Sequence, residues 1–99
     1  MAAYIVFIRD RTRDAGSMEE YLKEAVPSLQ GRDVKFLAVN GAHETLEGAT
    51  AEEVVLLEFP SMAEAKEWYG SDAYVAARKH RHLGADHRVV LFEGMQAPG

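Results

Sequence analysis

A chain of 99 residues, 47% apolar and 27% charged, has room for one thin-cored domain over 1–99 and none for a second. A formal net charge of −5 works against phosphate-backbone binding, so no nucleic-acid partner is expected. The absence of cysteine removes disulfides, thiolate nucleophiles and cysteine-bound metals together, and fits a reducing, cytoplasmic setting.

Ala2 to Ile8 is too short for a signal-peptide core and lacks a basic flank. No apolar run approaches the roughly 20 residues of a membrane span, so no membrane association is expected. Tyr4 to Arg9 is β-branched and aromatic without helical period, and reads as a strand. A charged loop over Arg9 to Gly16 follows. Ser17 then opens a helix, with Glu20 in the capping-box position. Met18, Leu22, Ala25 and Leu29, with Tyr21 beside them, form its apolar face. Pro27 removes a backbone donor and should kink or tighten the last turn, and Gly31 ends the helix.

Val34 to Val39 reads as the second strand and Asn40-Gly41 as a tight turn. His43 to Leu46 is expected to form a short bent or bulged strand, closed by Glu47-Gly48. Glu53 to Phe59 is the third main strand, stopped by Pro60. Ser61 caps the next helix with Glu64 three residues on, and Met62, Ala65, Trp68 and Tyr69 make its apolar face. Gly70 interrupts it. Ser71 caps a continuation from Asp72 to Leu83, and Gly84 stops it. Arg88 to Glu93 is the last strand, and Met95 to Gly99 is expected to fray.

The order is β-α-β-β-α-β, a ferredoxin-like α+β arrangement with both helices on one face of an antiparallel sheet. A sheet with one wet face alternates apolar and polar residues. Here both sets are apolar: Tyr4, Val6 and Ile8 against Ile5 and Phe7, and Val55, Leu57 and Phe59 against Val54 and Leu56. The economical cover for the second face is another copy of the chain, sheet on sheet, giving a homodimer.

The stretches Lys35-Phe36-Leu37, Gly41, Leu46-Glu47-Gly48, Glu58-Phe59-Pro60-Ser61, Ala65, Trp68-Tyr69, Ser71, Tyr74, Arg81 and Glu93-Gly94 together resemble the DUF1330 family. The resemblance implies a dimeric α/β barrel, in which two ferredoxin-like protomers join their sheets. Two local departures stand out: Val39-Asn40-Gly41, where relatives often carry an Arg before a Gly pair, and Ser71-Asp72-Ala73-Tyr74, where they often carry Ser-Pro-Glu-Tyr. The resemblance implies no reaction, since the wider barrel group includes cofactor-free monooxygenases, isomerases, haem enzymes and ligand sensors.

Several residues invite both a structural and a chemical reading. Trp68 and Tyr69 diverge by about 100° on a helix. Trp68 suits the core and Tyr69 a helix–sheet edge, or the two could form an aromatic pocket wall with the phenol as a polar handle. Tyr74 and Arg81, seven residues apart, share a helix face. Arg81 either serves the helix C-terminus or a protein carboxylate, or anchors a ligand carboxylate or enolate that Tyr74 helps to orient. Glu58 falls in one of the apolar strand sets, as an ion-pair partner or a general base. Glu47 sits before Gly48 as a turn residue or a pocket residue, and His43 is a structural histidine or a base. His80, His82 and His87 lie in a basic segment that complements the helix dipole; their spacing does not suit metal binding, and no metal is expected.

No phosphate-cradling glycine loop, nucleophile elbow or dinucleotide fingerprint is present, so no cofactor is called for. The third strand, Glu53-Val54-Val55-Leu56-Leu57-Glu58-Phe59, has the wrong charge and composition for an RNA-recognition sheet. Three functions remain: a domain binding a small planar or acidic organic molecule in a pocket of Trp68, Tyr69, Tyr74, Arg81 and Glu47; a cofactor-free acid–base or monooxygenase enzyme with Glu58 or His43 as candidate base; and a structural dimerisation module without a ligand.

Overall fold

The computed structural model describes residues 1–95. Its elements are β1 (Ala3–Thr12), α1 (Ala15–Ser28), β2 (Lys35–Val39), β3 (Glu53–Phe59), α2 (Met62–Tyr69), α3 (Asp72–Gly84) and β4 (Ala85–Glu93). The strands form one antiparallel sheet in the order β2-β3-β1-β4, the α+β arrangement expected from the sequence. The helices lie on one face. The expected fraying of the tail concerns residues 96–99, outside those described, and Met95, which is exposed.

The ends of several elements differ from expectation, each for a local reason. The cap of α1 is Asp14, three residues before Ser17. Its carboxylate accepts from the Gly16 amide at 3.1 Å and from the Ser17 hydroxyl at 2.8 Å, so Ser17 supports the cap instead of being it. Those bonds, the Ser17 hydroxyl first, hold the Asp14 carboxyl below its ordinary range. Pro27 tightens the last turn: Leu29 and Gln30 donate to the carbonyls three residues back, Val26 and Pro27. The expected strand over His43 to Leu46 is absent, because the 40–52 segment is one loop. Asn40 alone of the Asn40-Gly41 pair takes positive φ, at 49°. β1 runs on to Thr12 and β4 begins at Ala85, each three residues beyond the expected end.

The α2–α3 boundary follows the sequence closely. The Ser61 hydroxyl accepts from the Glu64 amide at 3.2 Å and the Ser71 hydroxyl from the Tyr74 amide at 3.3 Å, so each helix starts on its own serine cap. The core centres on Trp68, 1% exposed, stacked on Phe59 at 5.5 Å between ring centres and tilted against Tyr74 at 4.1 Å. Ile5, Phe7 and Leu57 supply the sheet side, and Ala25, Leu29, Ala65 and Ala77 the helix side. The indole N–H is satisfied by Ser28 Oγ at 3.0 Å.

Two glycines permit close approaches. A Cβ on Gly94 would meet the Tyr4 ring at 2.8 Å. One on Gly84 would meet Met18 at 2.9 Å and the Asp14 carbonyl at 3.1 Å, and the Gly84 carbonyl accepts from the Arg13 and Asp14 amides. Gly84 thereby locks the α3–β4 junction onto the start of α1.

Candidate functional site

The sheet face under the helices is built in cross-strand rows. Leu57, Ile5 and Leu91 form one; Val55, Phe7 and Val89 form the next. At the end beyond Phe7 the row turns polar: Glu53, Arg9 and His87 are register partners on β3, β1 and β4. The Arg9 guanidinium pairs with Glu53 at 3.0 Å, leaving its Nε buried and unpartnered.

From above, α3 delivers Arg81. It is the one charged residue among the buried side chains of the described residues, 4% exposed. Its guanidinium donates to the Tyr69 hydroxyl at 3.3 Å, lies 3.5 Å from His82 Nε2, and sits 5.9 Å from the Phe7 ring centre. Its Nε has no partner. The ion pairs among the described residues do not include it. Arg81 opens on a cavity of about 470 Å³ shared with Arg13, Tyr69, His82, Ala85, Asp86, His87 and Val89. Arg13 at its rim is neutralised by Asp86 and donates to the His82 carbonyl. The cavity therefore presents one unpaired cation, a phenol and two imidazoles.

Those imidazoles are held neutral. Burial and the adjacent Arg81 push His82 below its ordinary value. Burial, then the charges of Arg81 and Arg9, push His87 down to about 4. His87 Nδ1 is buried and unpartnered. Behind the cavity, the Tyr21 and Tyr74 hydroxyls meet at 2.8 Å, and burial raises both phenols above their ordinary value.

The residues singled out in the sequence are distributed as follows. Arg81 and Tyr69 come together in the cavity. Trp68 is core and touches only the neighbouring groove between α1 and the β2–β3 strands. Tyr74, 0% exposed, is buried between Trp68, Tyr69 and Tyr21, so it backs the site instead of lining it. Glu47 lies in the exposed 40–52 loop, away from the Arg81 cavity. Glu58 is on the opposite face of the sheet, opposite Tyr4 on β1 and 3.5 Å from Lys35 Nζ. His43 clasps the 40–52 loop: its Nδ1 lies 3.0 Å from the Gly41 carbonyl and its Nε2 3.0 Å from the Ala51 carbonyl. Of His80, His82 and His87, only the last two reach the cavity, and His80 pairs with Glu24. Among the described residues, no group of three or more His, Asp or Glu side chains is arranged to hold a metal ion, and no helix is long and apolar enough to cross a membrane.

Sequence reasoning passed over Arg9, Glu53 and the polar side of His87. The signal was parity: Arg9 continues the Ile5, Phe7 set, and His87 the Leu91, Val89 set, once both strands are drawn to their full length.

The model of a family described as a domain of unknown function, DUF1330, matches residues 2–95. The chain belongs to the DUF1330 family. This DUF1330 protein is similar in structure to RPA0582 of Rhodopseudomonas palustris, a protein of unknown function, with 19% identity over 97% of this chain and 84% of that one and a TM-score of 0.78. It is similar to a dimeric protein of unknown function with a ferredoxin-like fold from Bacteroides fragilis, with 18% identity over 94% of this chain and 95% of that one and a TM-score of 0.61. It is also similar to SnoaB, a cofactor-independent oxygenase from Streptomyces nogalater, with 6% identity over 97% of this chain and 94% of that one and a TM-score of 0.62. At such identities the likeness is one of fold. No curated protein matches the DUF1330 chain.

Proposed function

We propose that this DUF1330 protein binds a small organic acid, with the acid's carboxylate or oxyanion on Arg81 in the cavity between helices and sheet. The observation that carries the reading is a buried guanidinium without a carboxylate partner. Burying an unpaired charge is costly. The last-turn position of Arg81 on α3 offsets part of that cost through the helix dipole, but leaves the Nε donor unused. An incoming oxyanion supplies the missing charge and acceptor together, and charge-assisted hydrogen bonds of this kind are the strong ones.

The test is native mass spectrometry and calorimetry of the full chain with a panel of small carboxylates, repeated with Arg81→Met. Binding lost in the variant, with the fold retained by circular dichroism, supports the reading. Binding that survives Arg81→Met sinks it.

A second reading, a cofactor-free acid–base enzyme, is favoured by the unpartnered Nδ1 of His87, a residue that lines the same cavity. A base held near 4 is weak against the near-neutral value that general-base work calls for, so binding is the better-supported function. Deuterium wash-in at carbon of a bound acid would reverse that preference. The apolar, uncovered face of the sheet supports a second copy of the chain as its cover, which would make the protein a homodimeric barrel.

A further inference from the structure

Among the described residues, three buried side-chain nitrogens have no hydrogen-bond partner: Arg9 Nε, Arg81 Nε and His87 Nδ1. All three belong to one region. Arg9 and His87 are cross-strand partners, and His87 shares a cavity wall with Arg81. Buried polar groups are partnered in the great majority of cases. Two of the three lie on the sheet and the third on α3 above it, so one region holds all the exceptions among the described residues.

His87 also lines a second cavity, a groove of about 260 Å³ between α1 and the β2–β3 strands. Phe7, Leu29, Leu57 and Trp68 wall it, and Arg9, Glu53 and His87 form its polar end. Its rim carries Leu22, Val26, Phe36 and Val39, all exposed. His87 thus stands between a cationic cavity and an apolar groove, on the wall of each, and the Arg81 guanidinium faces the ring of Phe7, which belongs to the groove.

We propose that the site takes a carboxylic acid bearing a hydroxyl beside the carboxylate and an apolar body, with the carboxylate on Arg81, the hydroxyl hydrogen-bonded to His87 Nδ1, and the body in the groove between α1 and the β2–β3 strands. The inference rests on the reading of Arg81 as the anion anchor. Each assignment follows from what the atoms can do. A guanidinium only donates, so Arg81 selects an oxyanion. A neutral imidazole carries a proton on one nitrogen and a lone pair on the other, and a hydroxyl, which both donates and accepts, can partner Nδ1 in either tautomer. His87 is neutral at pH 7 because burial and two neighbouring guanidiniums hold it down at about 4. It therefore offers a polar but uncharged partner, which suits a hydroxyl. Arg9 is already paired to Glu53, so its charge is spoken for and only its Nε donor remains to be satisfied. The apolar walls complete the requirement, since a ligand without an apolar body leaves the groove wet.

The probes are mandelate, phenylacetate and lactate, titrated into the full chain at pH 7 by calorimetry. Mandelate should bind about tenfold tighter than phenylacetate, the gain expected from one hydrogen bond to a buried ring nitrogen. It should also bind tighter than lactate, which has the hydroxyl but not the ring. His87→Phe should make mandelate and phenylacetate equal. Should that variant fold poorly, the wild-type protein carries a second readout: the ¹⁵N shift of His87 Nδ1 should move with mandelate and stay put with phenylacetate. Val39→Asp should erase the advantage of mandelate over lactate. Equal binding of mandelate and phenylacetate to the wild type, both lost in Arg81→Met, would overturn this inference and leave the anion anchor standing. No binding by any probe, or binding that survives Arg81→Met, would remove both. A change of oligomeric state in Val39→Asp with the mandelate advantage intact would assign the groove to a protein contact and overturn the inference as well.

Discussion

On the helix side of the sheet, Ile5, Phe7, Leu57 and Phe59 are buried within one chain, while on the other side Tyr4, Val6, Ile8, Val54 and Leu56 stay partly open and Val90 and Phe92 are exposed. The two faces are similarly apolar but differ in their charges: both carry ion pairs, Arg9 with Glu53 on the covered face, and among the described residues only the covered face holds a buried charge without one. On the open face, Glu58 pairs with Lys35 and Asp10 makes a two-pronged pair with Arg88 at 2.9 and 3.0 Å. On the covered face, where an unpaired charge costs most, Arg81 has no counter-ion and His87 no partner for Nδ1. A fold optimised for stability alone would distribute these the other way round. This contrast is what the proposed association on the open face and the proposed ligand on the covered face would account for.

The comparison can be broken first at the core that makes one face covered. Phe59, stacked on Trp68, should cost roughly 3–5 kcal/mol when changed to Ala, read from urea melts. A smaller loss would mean that the covered face collapses around the gap. Next comes the open face. Leu56→Asp puts a charge at the centre of the proposed contact between copies and should weaken self-association by about 2 kcal/mol or more, the size of a central hot spot. Sedimentation at micromolar concentration checks it, and a wild-type monomer would end the dimer proposal outright. Ser61→Ala should cost about 1 kcal/mol, because it removes the cap that starts α2 directly after β3. A loss exceeding that of Phe59→Ala would overturn this account of the strand–helix junction. Arg81→Met should change thermal stability little, or raise it, since an apolar side chain of similar length relieves the unpaired charge. A marked drop in melting temperature would mean that Arg81 serves the fold.

In the pH response, two histidines act with opposite sign. His43 is raised above its ordinary value, chiefly by the Gly41 and Ala51 carbonyls, which accept from both ring nitrogens only when both carry protons. Its clasp on the 40–52 loop is fully present below pH 6.5 and is lost as pH rises through the higher folded value. His87 is lowered to about 4, so the unfolded chain takes up its proton first. Stability should fall between about pH 6.5 and pH 4 on its account. Amide exchange in the loop and thermal melts of His87→Gln against wild type separate the two. A loop whose protection is unchanged from pH 6 to 9 would remove the His43 clasp.

Much of the frame is legible from local chemistry. The Pro60-Ser61 stop and cap, the Gly70-Ser71 break and the two-sided strands each follow from what a few adjacent residues can do. The cap of α1 is harder, because Asp14 and Ser17 are both good caps and only the added first turn decides between them. In the site, Arg81 and Tyr69 were visible as a helix cation and a phenol. Their companions on the sheet were not, because ending β1 at Arg9 and starting β4 at Arg88 hid the row that joins Arg9 to His87. Helix periodicity put Tyr74 on the face of Arg81, but how deep it sits is a matter of what packs over it, in this case Tyr21 from α1.

The junction at Gly84 bears on how such a chain can change over time. α3 passes into β4 with no residue between Gly84 and Ala85, so Arg81 and His87 are tied by an inextensible span. Side chains alternate faces along a strand, so one residue inserted there would send His87 to the open face and bring Arg88 under the helices. A change of length at that corner would therefore take the cavity apart, whereas the exposed 40–52 loop lies outside it.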